Sequence, residues 1–308
     1  MMDSTIDRLI FFSLSRLESA AFRLSRLAAL PAWAAFTLAR PTPRQLGYED
    51  LLAMRARYPV QARQTTDDRQ QHQAKWAGRV AKIARLYGCR RLLEVGCGHG
   101  LAATILQQAG FEVTANDVVN ILDPAAHQAG VRFLEGDVCR GLSYPGAAFD
   151  LVFSVNSFEH FDDPAAALDE MLRETRPGGL IYLTFDPLYY SPWGLHAVRR
   201  LGFPYPQILF PETTIQRFVD EKAAEIAETY DPTSDKTHIS PPLNRWTVEQ
   251  FRQIFRQRRG ALKMIAYTER TALQVLGIVA AHAGLFKAHT PSFASLMVSG
   301  IKLLARKM

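Results

Sequence analysis

The densest chemistry of this chain lies in Glu94-Val95-Gly96-Cys97-Gly98-His99-Gly100. The apolar pair Leu92-Leu93 leads in, the glycines fall on alternate positions, and helix-compatible residues run from Leu101 to Ala109. Strand, glycine-rich turn and helix in that order open a nucleotide-binding α/β unit. Glycine tolerates a positive φ and lets a ligand lie against bare main chain. The spacing Glu-x-Gly-x-Gly-x-Gly differs from the Gly-x-Gly-x-x-Gly of dinucleotide enzymes. A second acid, Asp117, closes the run Phe111-Glu112-Val113-Thr114-Ala115-Asn116, and an acid there can accept both hydroxyls of a ribose.

Further motifs follow in order. Val131 to Val138 reads as a third strand ending in Asp137, and Phe149 to Asn156 as a fourth. Ser157-Phe158-Glu159-His160-Phe161 comes next, and Arg176-Pro177-Gly178-Gly179 precedes a fifth strand, Leu180 to Phe185. Across residues 92–185 this series resembles the class I S-adenosylmethionine (SAM) methyltransferases, of the type 11-like kind. The resemblance implies an α/β fold: a seven-stranded Rossmann-like sheet with helices on both faces, the seventh strand antiparallel beside the sixth. It implies SAM as cofactor. Glu94, Gly96, Cys97, Gly98 and Gly100 would meet its amino acid end, Asp117 and Val118 the ribose side, Asp137 and Val138 the adenine, and Asn156 the crevice between. Cys97 reads as a small filler of the turn rather than a nucleophile.

Methyl transfer is an in-line displacement, so alignment and exclusion of water are the main tasks. An oxygen acceptor also needs a base. The candidates are His196, His160 and Glu159. Residues 186–246 break the helix–strand rhythm and are rich in Pro and aromatics, which is where this family places a substrate-covering insertion. Tyr189, Tyr190, Trp193 and Glu212 are therefore the candidate acceptor contacts. The run Pro187 to His196 resembles a bacterial methyltransferase subgroup associated with glycans or lipid-linked small molecules. The expected acceptor is a small molecule, glycan-linked or lipid-linked, methylated at oxygen. The alternatives are a SAM-binding scaffold without activity and an RNA methyltransferase.

Composition sets the outer bounds. The chain has 308 residues, 48% apolar and 21% charged, enough for one large or two small cores. Cys89, Cys97 and Cys139 form neither a disulfide framework nor a metal-ligand spacing, which fits a reducing cytoplasm and no metal. Net charge is +6, with basic clusters at 79–91 and 252–263. These read as solvated helix faces, with phosphates or anionic lipid as the alternative. No RNA- or DNA-binding module is recognisable, which argues against nucleic acid as a partner.

Residues 6–30 lack Gly and Pro and can form a helix with Ile6, Leu9, Ile10, Leu14, Leu17, Leu24 and Leu27 on one face and Arg8, Arg16, Arg23 and Arg26 beside it. The arginines exclude a comfortable transmembrane span. Such a helix can lie on the inner face of a membrane, cover the catalytic domain, or pair two subunits as a homodimer. The expected organisation is an N-terminal helical extension over 1–65 and a catalytic domain over 66–308, with insertions at 186–246 and 271–295. Expected helices include 46–58, 66–87, a segment opened by Asp163-Pro164, one opened by the capping box Thr247-Val248-Glu249-Gln250 and reaching Arg259, and an apolar one over 271–286. Strands six and seven are expected at 261–269 and 297–305.

Overall fold

The computed structural model describes residues 28–58, 66–195, 201–222 and 243–308. Its frame is built from β1 (Arg91–Val95), β2 (Glu112–Asp117), β3 (Arg132–Glu135), β4 (Phe149–Val155), β5 (Thr175–Phe185), β6 (Leu262–Thr271) and β7 (Val298–Lys307). They form one sheet in the order β3-β2-β1-β4-β5-β7-β6. β1 to β5 pair in parallel, and β7 runs antiparallel to both β5 and β6. The chain winds outward from β1 to β3 and returns to β4 on the other side of β1. The crevice at the carboxyl ends of β1 and β4 is therefore the switch point where open α/β sheets take ligands.

Period-two alternation sends neighbouring strand residues to opposite faces. Leu92, Leu151, Phe153, Leu180 and Tyr182 pack against the Thr66–Tyr87 and Leu101–Gln108 helices. Leu93, Val152, Ile181, Leu183 and Leu303 pack against the Pro164–Glu174 and Val248–Gln257 helices. Both of the latter start as their sequences predict. Asp163 accepts the N–H groups of Ala165 and Ala166, and Thr247 and Gln250 form a reciprocal capping box. The second helix ends at Gln257, two residues short of the expected Arg259 boundary.

Two expectations are corrected. The Arg176-Pro177-Gly178-Gly179 turn does not precede β5 but lies inside it as an irregularity, with Thr175 opposite Phe149 and Leu180 opposite Leu151. Asp150 holds it there, accepting the N–H groups of Arg90 and Arg91 and Arg176 Nε at 2.6 Å. The apolar stretch 271–286 is not one helix: β6 runs on to Thr271, and the helices Leu276–Ala281 and Ala283–His289 meet at His282. The break brings Gly284 against the extended segment after the Leu30–Leu38 helix, where Thr42 N–H donates to Gly284 O at 2.9 Å.

A further core sits over the carboxyl edge. Leu51 joins Phe203, Tyr205, Ile208, Phe210, Ile215, Phe218, Val279, Phe286 and Leu296 in one buried cluster. Segments from the N-terminal region, from the stretch after β5 and from the stretch between β6 and β7 thus form one lid. Leu46 N–H donates to Leu209 O, and Tyr205 Oη to Leu296 O.

Candidate active site

The glycine turn hangs from β2 by hydrogen bonds. Gly96 and Cys97 both donate to Asn116 O, at 2.9 and 3.0 Å. Gly98 N–H donates to Asp117 Oδ2 and Val118 N–H to Asp117 Oδ1, each at 2.8 Å. Each carboxylate oxygen keeps a second lone pair for a ligand. The turn also leans on the end of β4, where Ser157 Oγ donates to Gly96 O at 2.8 Å. Gly96 and Gly98 have φ of +75° and +52°. A Cβ on Gly96 would lie 2.5 Å from Ser157 Cβ, whereas one on Gly98 would meet no heavy atom within 4 Å. The turn is packed shut behind Gly96 and bare in front of Gly98.

Two buried acceptors without donors lie at the ends of the strands that meet this turn, β1 and β4. Glu94 is 4% exposed and its Oε2 has no hydrogen-bond partner. Burial pushes its carboxyl up to about 8, against one hydrogen bond from Ala103 and with Asp117 adding to the rise. Asn156, at the carboxyl end of β4 with φ +53°, has a buried Oδ1 that is likewise unsatisfied. A cationic, donor-bearing group at the mouth of the turn would satisfy both, as an amino acid ammonium would. Val118 is exposed at the rim, beside Asp117. Asp137 accepts Cys139 N–H and pairs with Arg140, while the Val138 side chain is buried in the core, leaving its backbone to meet a ligand. Burial raises the Cys97 thiol well above its usual value, against a nucleophilic role.

The 3₁₀ turn Phe158–His160 follows Asn156 and Ser157. Asn244 fastens it, donating from its side chain to Phe158 O and Phe161 O and from its backbone to Glu159 O. Glu159 is 1% exposed. Burial pushes its carboxyl well above the usual range, which works against the ionised form that a base needs. His160 is half-buried in the same turn. His196 and the amphipathic stretch 6–27 lie outside the described residues.

Beyond β5 a cavity of about 280 Å³ opens under the lid. It brings together Tyr189, Tyr190 and Glu212, but not Trp193, Glu159 or His160. Arg245, the residue after Asn244, stacks on Tyr189 with its guanidinium carbon 5.1 Å from the ring centroid. Burial raises the Tyr189 phenol, and the neighbouring Arg245 charge opposes the rise. Gln45, Gln207, Arg245 and His289 line the cavity without having been singled out from sequence. Nothing local marks them; they come from separate segments that only the lid core assembles.

Residues 93–183 match a family model described as "Methyltransferase domain". A demethylmenaquinone methyltransferase of Deinococcus radiodurans is 37% identical over 139 residues, 42% of this chain and 56% of that protein. A malonyl-[acyl-carrier protein] O-methyltransferase of Serratia marcescens is 40% identical over 120 residues, covering 38% and 44%. A ubiquinone biosynthesis O-methyltransferase of Xylella fastidiosa is 32% identical over 154 residues, covering 48% and 61%. The chain spans about half the length of the curated relatives it matches.

Proposed function

We propose that this chain, whose residues 93–183 match the methyltransferase-domain model, is a class I SAM-dependent methyltransferase that transfers a methyl group from SAM to the oxygen of a small-molecule acceptor. The observation that carries the reading is the glycine turn, bare at Gly98 and met by strand ends that carry the unsatisfied Glu94 and Asn156 oxygens, at the same sheet edge as the lid cavity. When bound, SAM supplies a methyl carbon on a sulfonium that leaves as a neutral thioether. Glu94 and Asn156 would hold its amino acid end, Asp117 its ribose, and Asp137 with the backbone of Val138 its adenine. Tyr189, Tyr190 and Glu212 would contact the acceptor while the lid core excludes water. Two of the relatives are named as O-methyltransferases, which supports oxygen as the acceptor atom. The glycan- or lipid-linked nature of the acceptor rests on the subgroup resemblance of the stretch that follows β5.

Calorimetric titration with SAM and with S-adenosylhomocysteine tests this reading; an absence of binding by the wild-type chain sinks it. Hydrogen bonds to a charged group contribute about 1.5–3 kcal/mol. Asp117→Ala is therefore expected to weaken SAM binding roughly ten- to a hundred-fold. Unchanged affinity would remove Asp117 from the site. Mass spectrometry of cell extract incubated with the protein and methyl-labelled SAM then identifies the acceptor.

Peripheral membrane contact is favoured by one specific feature. The Leu30–Leu38 helix is apolar on all sides, and among the described residues one side of it packs on the lid. Leu30 and Trp33 are about half exposed, and Leu38 more so. A helix apolar all round is normally covered, and Arg40 and Arg44 follow it closely. Among the described residues no helix is long and apolar enough to cross a membrane. Losing the burial of one large apolar side chain costs about 1.5–3 kcal/mol. Trp33→Ser is thus expected to weaken binding to phosphatidylglycerol vesicles about ten-fold or more. Equal sedimentation of variant and wild type with such vesicles would exclude this face as the contact.

A further inference from the structure

We propose that His289 accepts the proton of an aryl hydroxyl held in the lid cavity, with Arg245 facing the oxyanion that results. The inference rests on the methyl-transfer reading and names the acceptor class and base for it. His289 Nε2 lies 2.7 Å from Pro43 O. A carbonyl only accepts, so Nε2 carries the hydrogen, and in the neutral ring Nδ1 keeps its lone pair. One nitrogen anchors the lid to the N-terminal segment; the basic one is not spent on that anchor. The same side chain lines the cavity with Tyr189, Tyr190 and Arg245.

The cavity follows the end of β5, the neighbour of β4, whose end carries Asn156 of the candidate cofactor site. Asn156 closes β4, and its N–H donates to Thr184 O on β5. Arg245 adjoins Asn244, which fastens the turn after Asn156. Tyr189 and Tyr190 follow the end of β5 and stand edge to face, centroids 5.1 Å apart at 89°. Their two rings stand among the polar groups of Gln45, Gln207, Arg245 and His289, with Ile208 and Phe210 buried behind, a lining that suits a hydroxylated ring. Gln207 donates from Nε2 to Tyr189 O and Ser191 O, which fixes its amide and leaves Oε1 buried with no donor. A second O–H or N–H on the ring would satisfy it.

The charges choose the hydroxyl. A phenol ionises near 10, as tyrosine does. A phenol gives up its proton far more readily than an alkanol, so it is the hydroxyl that a neutral imidazole can deprotonate. On transfer the O–H bond breaks, the proton goes to His289 Nδ1, and the electron pair stays on the aryl oxygen. Stacking fixes the plane of Arg245, and its guanidinium supplies the compensating charge. Glu212, on the same cavity lining, repels the anion and so favours the Arg245 end.

The probe is 4-nitrocatechol, which has a second hydroxyl for Gln207 and changes its visible absorbance when it ionises. With the full chain saturated in S-adenosylhomocysteine, bound dye is expected to ionise about one pH unit or more below free dye. In His289→Gln the amide nitrogen can still donate to Pro43 O. That variant is expected to keep the wild-type thermal unfolding temperature and to bind the un-ionised dye, at a pH below its bound ionisation, within about three-fold of wild type, while losing about ten-fold or more in affinity for the ionised dye. Its bound dye should ionise at a pH about one unit or more above the wild-type value. Identical bound-dye titrations in the two proteins overturn the proposal, as does a wild-type chain that does not bind the dye. Nitrogen-15 NMR of the wild type gives a second reading: a hydrogen on Nδ1 instead of Nε2 in the neutral ring also overturns it. Calorimetry without S-adenosylhomocysteine binding would instead remove the methyl-transfer reading, while the dye titration on the unloaded chain still reports on His289.

Discussion

Alanine at Gly96 is expected to damage the fold and SAM binding together, and alanine at Gly98 to damage binding alone. Both residues sit at positive φ, where a side chain costs about 1–2 kcal/mol. At Gly96 the added carbon would also meet Ser157 Cβ at 2.5 Å and its Oγ at 2.7 Å. That hydroxyl holds Gly96 O, so it cannot swing aside without giving up the link between the turn and β4. Overpacking of this kind adds about 1–3 kcal/mol. The sum, roughly 2–5 kcal/mol, should lower Tm by about 5–15 °C. At Gly98 the new methyl projects into open space. The fold should lose only the conformational term, while the methyl occupies the face on which the cofactor would lie. SAM affinity is then expected to fall about a hundred-fold or more, roughly 3 kcal/mol. Differential scanning calorimetry and SAM titration on both variants separate the two effects. A Gly98→Ala chain that binds SAM like wild type would show that the cofactor does not cross the turn there.

That contrast marks how far sequence carries the argument. The Glu-x-Gly-x-Gly-x-Gly spacing and the acid at Asp117 are local signals, because a turn, a strand end and its first hydrogen bonds lie within some twenty-five residues. Alternation in 92–95, 149–155 and 180–185 likewise fixes which residues face which helix layer, and the topology follows from the ordered strands. The Pro-Gly-Gly turn was misplaced because its position depends on Asp150, whose partners come from β1 as well as β5. The apolar stretch 271–286 carries helix-forming residues throughout, and nothing in it announces that the 40–42 segment docks at Gly284. The acceptor side was the least legible. Tyr189, Tyr190 and Glu212 stood out by composition. Gln45, Gln207, Arg245 and His289 reach the same cavity only because the buried lid cluster from Leu51 to Leu296 folds their segments together.

Glu94 joins these levels, since a residue legible as part of a motif acquires its behaviour from burial. Burial pushes its carboxyl up to about 8 from an ordinary value near 4.5. The folded chain therefore holds a proton that the unfolded chain gives up. The associated stability is full below about 4.5 and is lost as pH rises towards 8, on the order of 5 kcal/mol across the window. Burial raises Glu159 in the same direction, so the two reinforce each other. Glu94→Gln removes one titration. Its amide oxygen can take the Ala103 hydrogen bond, but its NH₂ then lies where Oε2 lacks a partner, a cost of about 1–3 kcal/mol at any pH. The slope, not the absolute stability, is the quantity to read. Urea unfolding from pH 5 to pH 9 should show a markedly shallower decline in Glu94→Gln than in wild type, and parallel curves would refute the buried titration. The same proton should report the cofactor. With the Glu94 carboxyl pushed up to about 8, most free chains carry it at pH 7. An ammonium beside Glu94 favours the carboxylate. SAM binding to the wild type should therefore release close to one proton, seen as a dependence of the calorimetric heat on buffer ionisation enthalpy. Glu94→Gln should release far less and bind SAM roughly ten-fold or more weakly. Equal proton release from both proteins would place the cofactor's ammonium elsewhere.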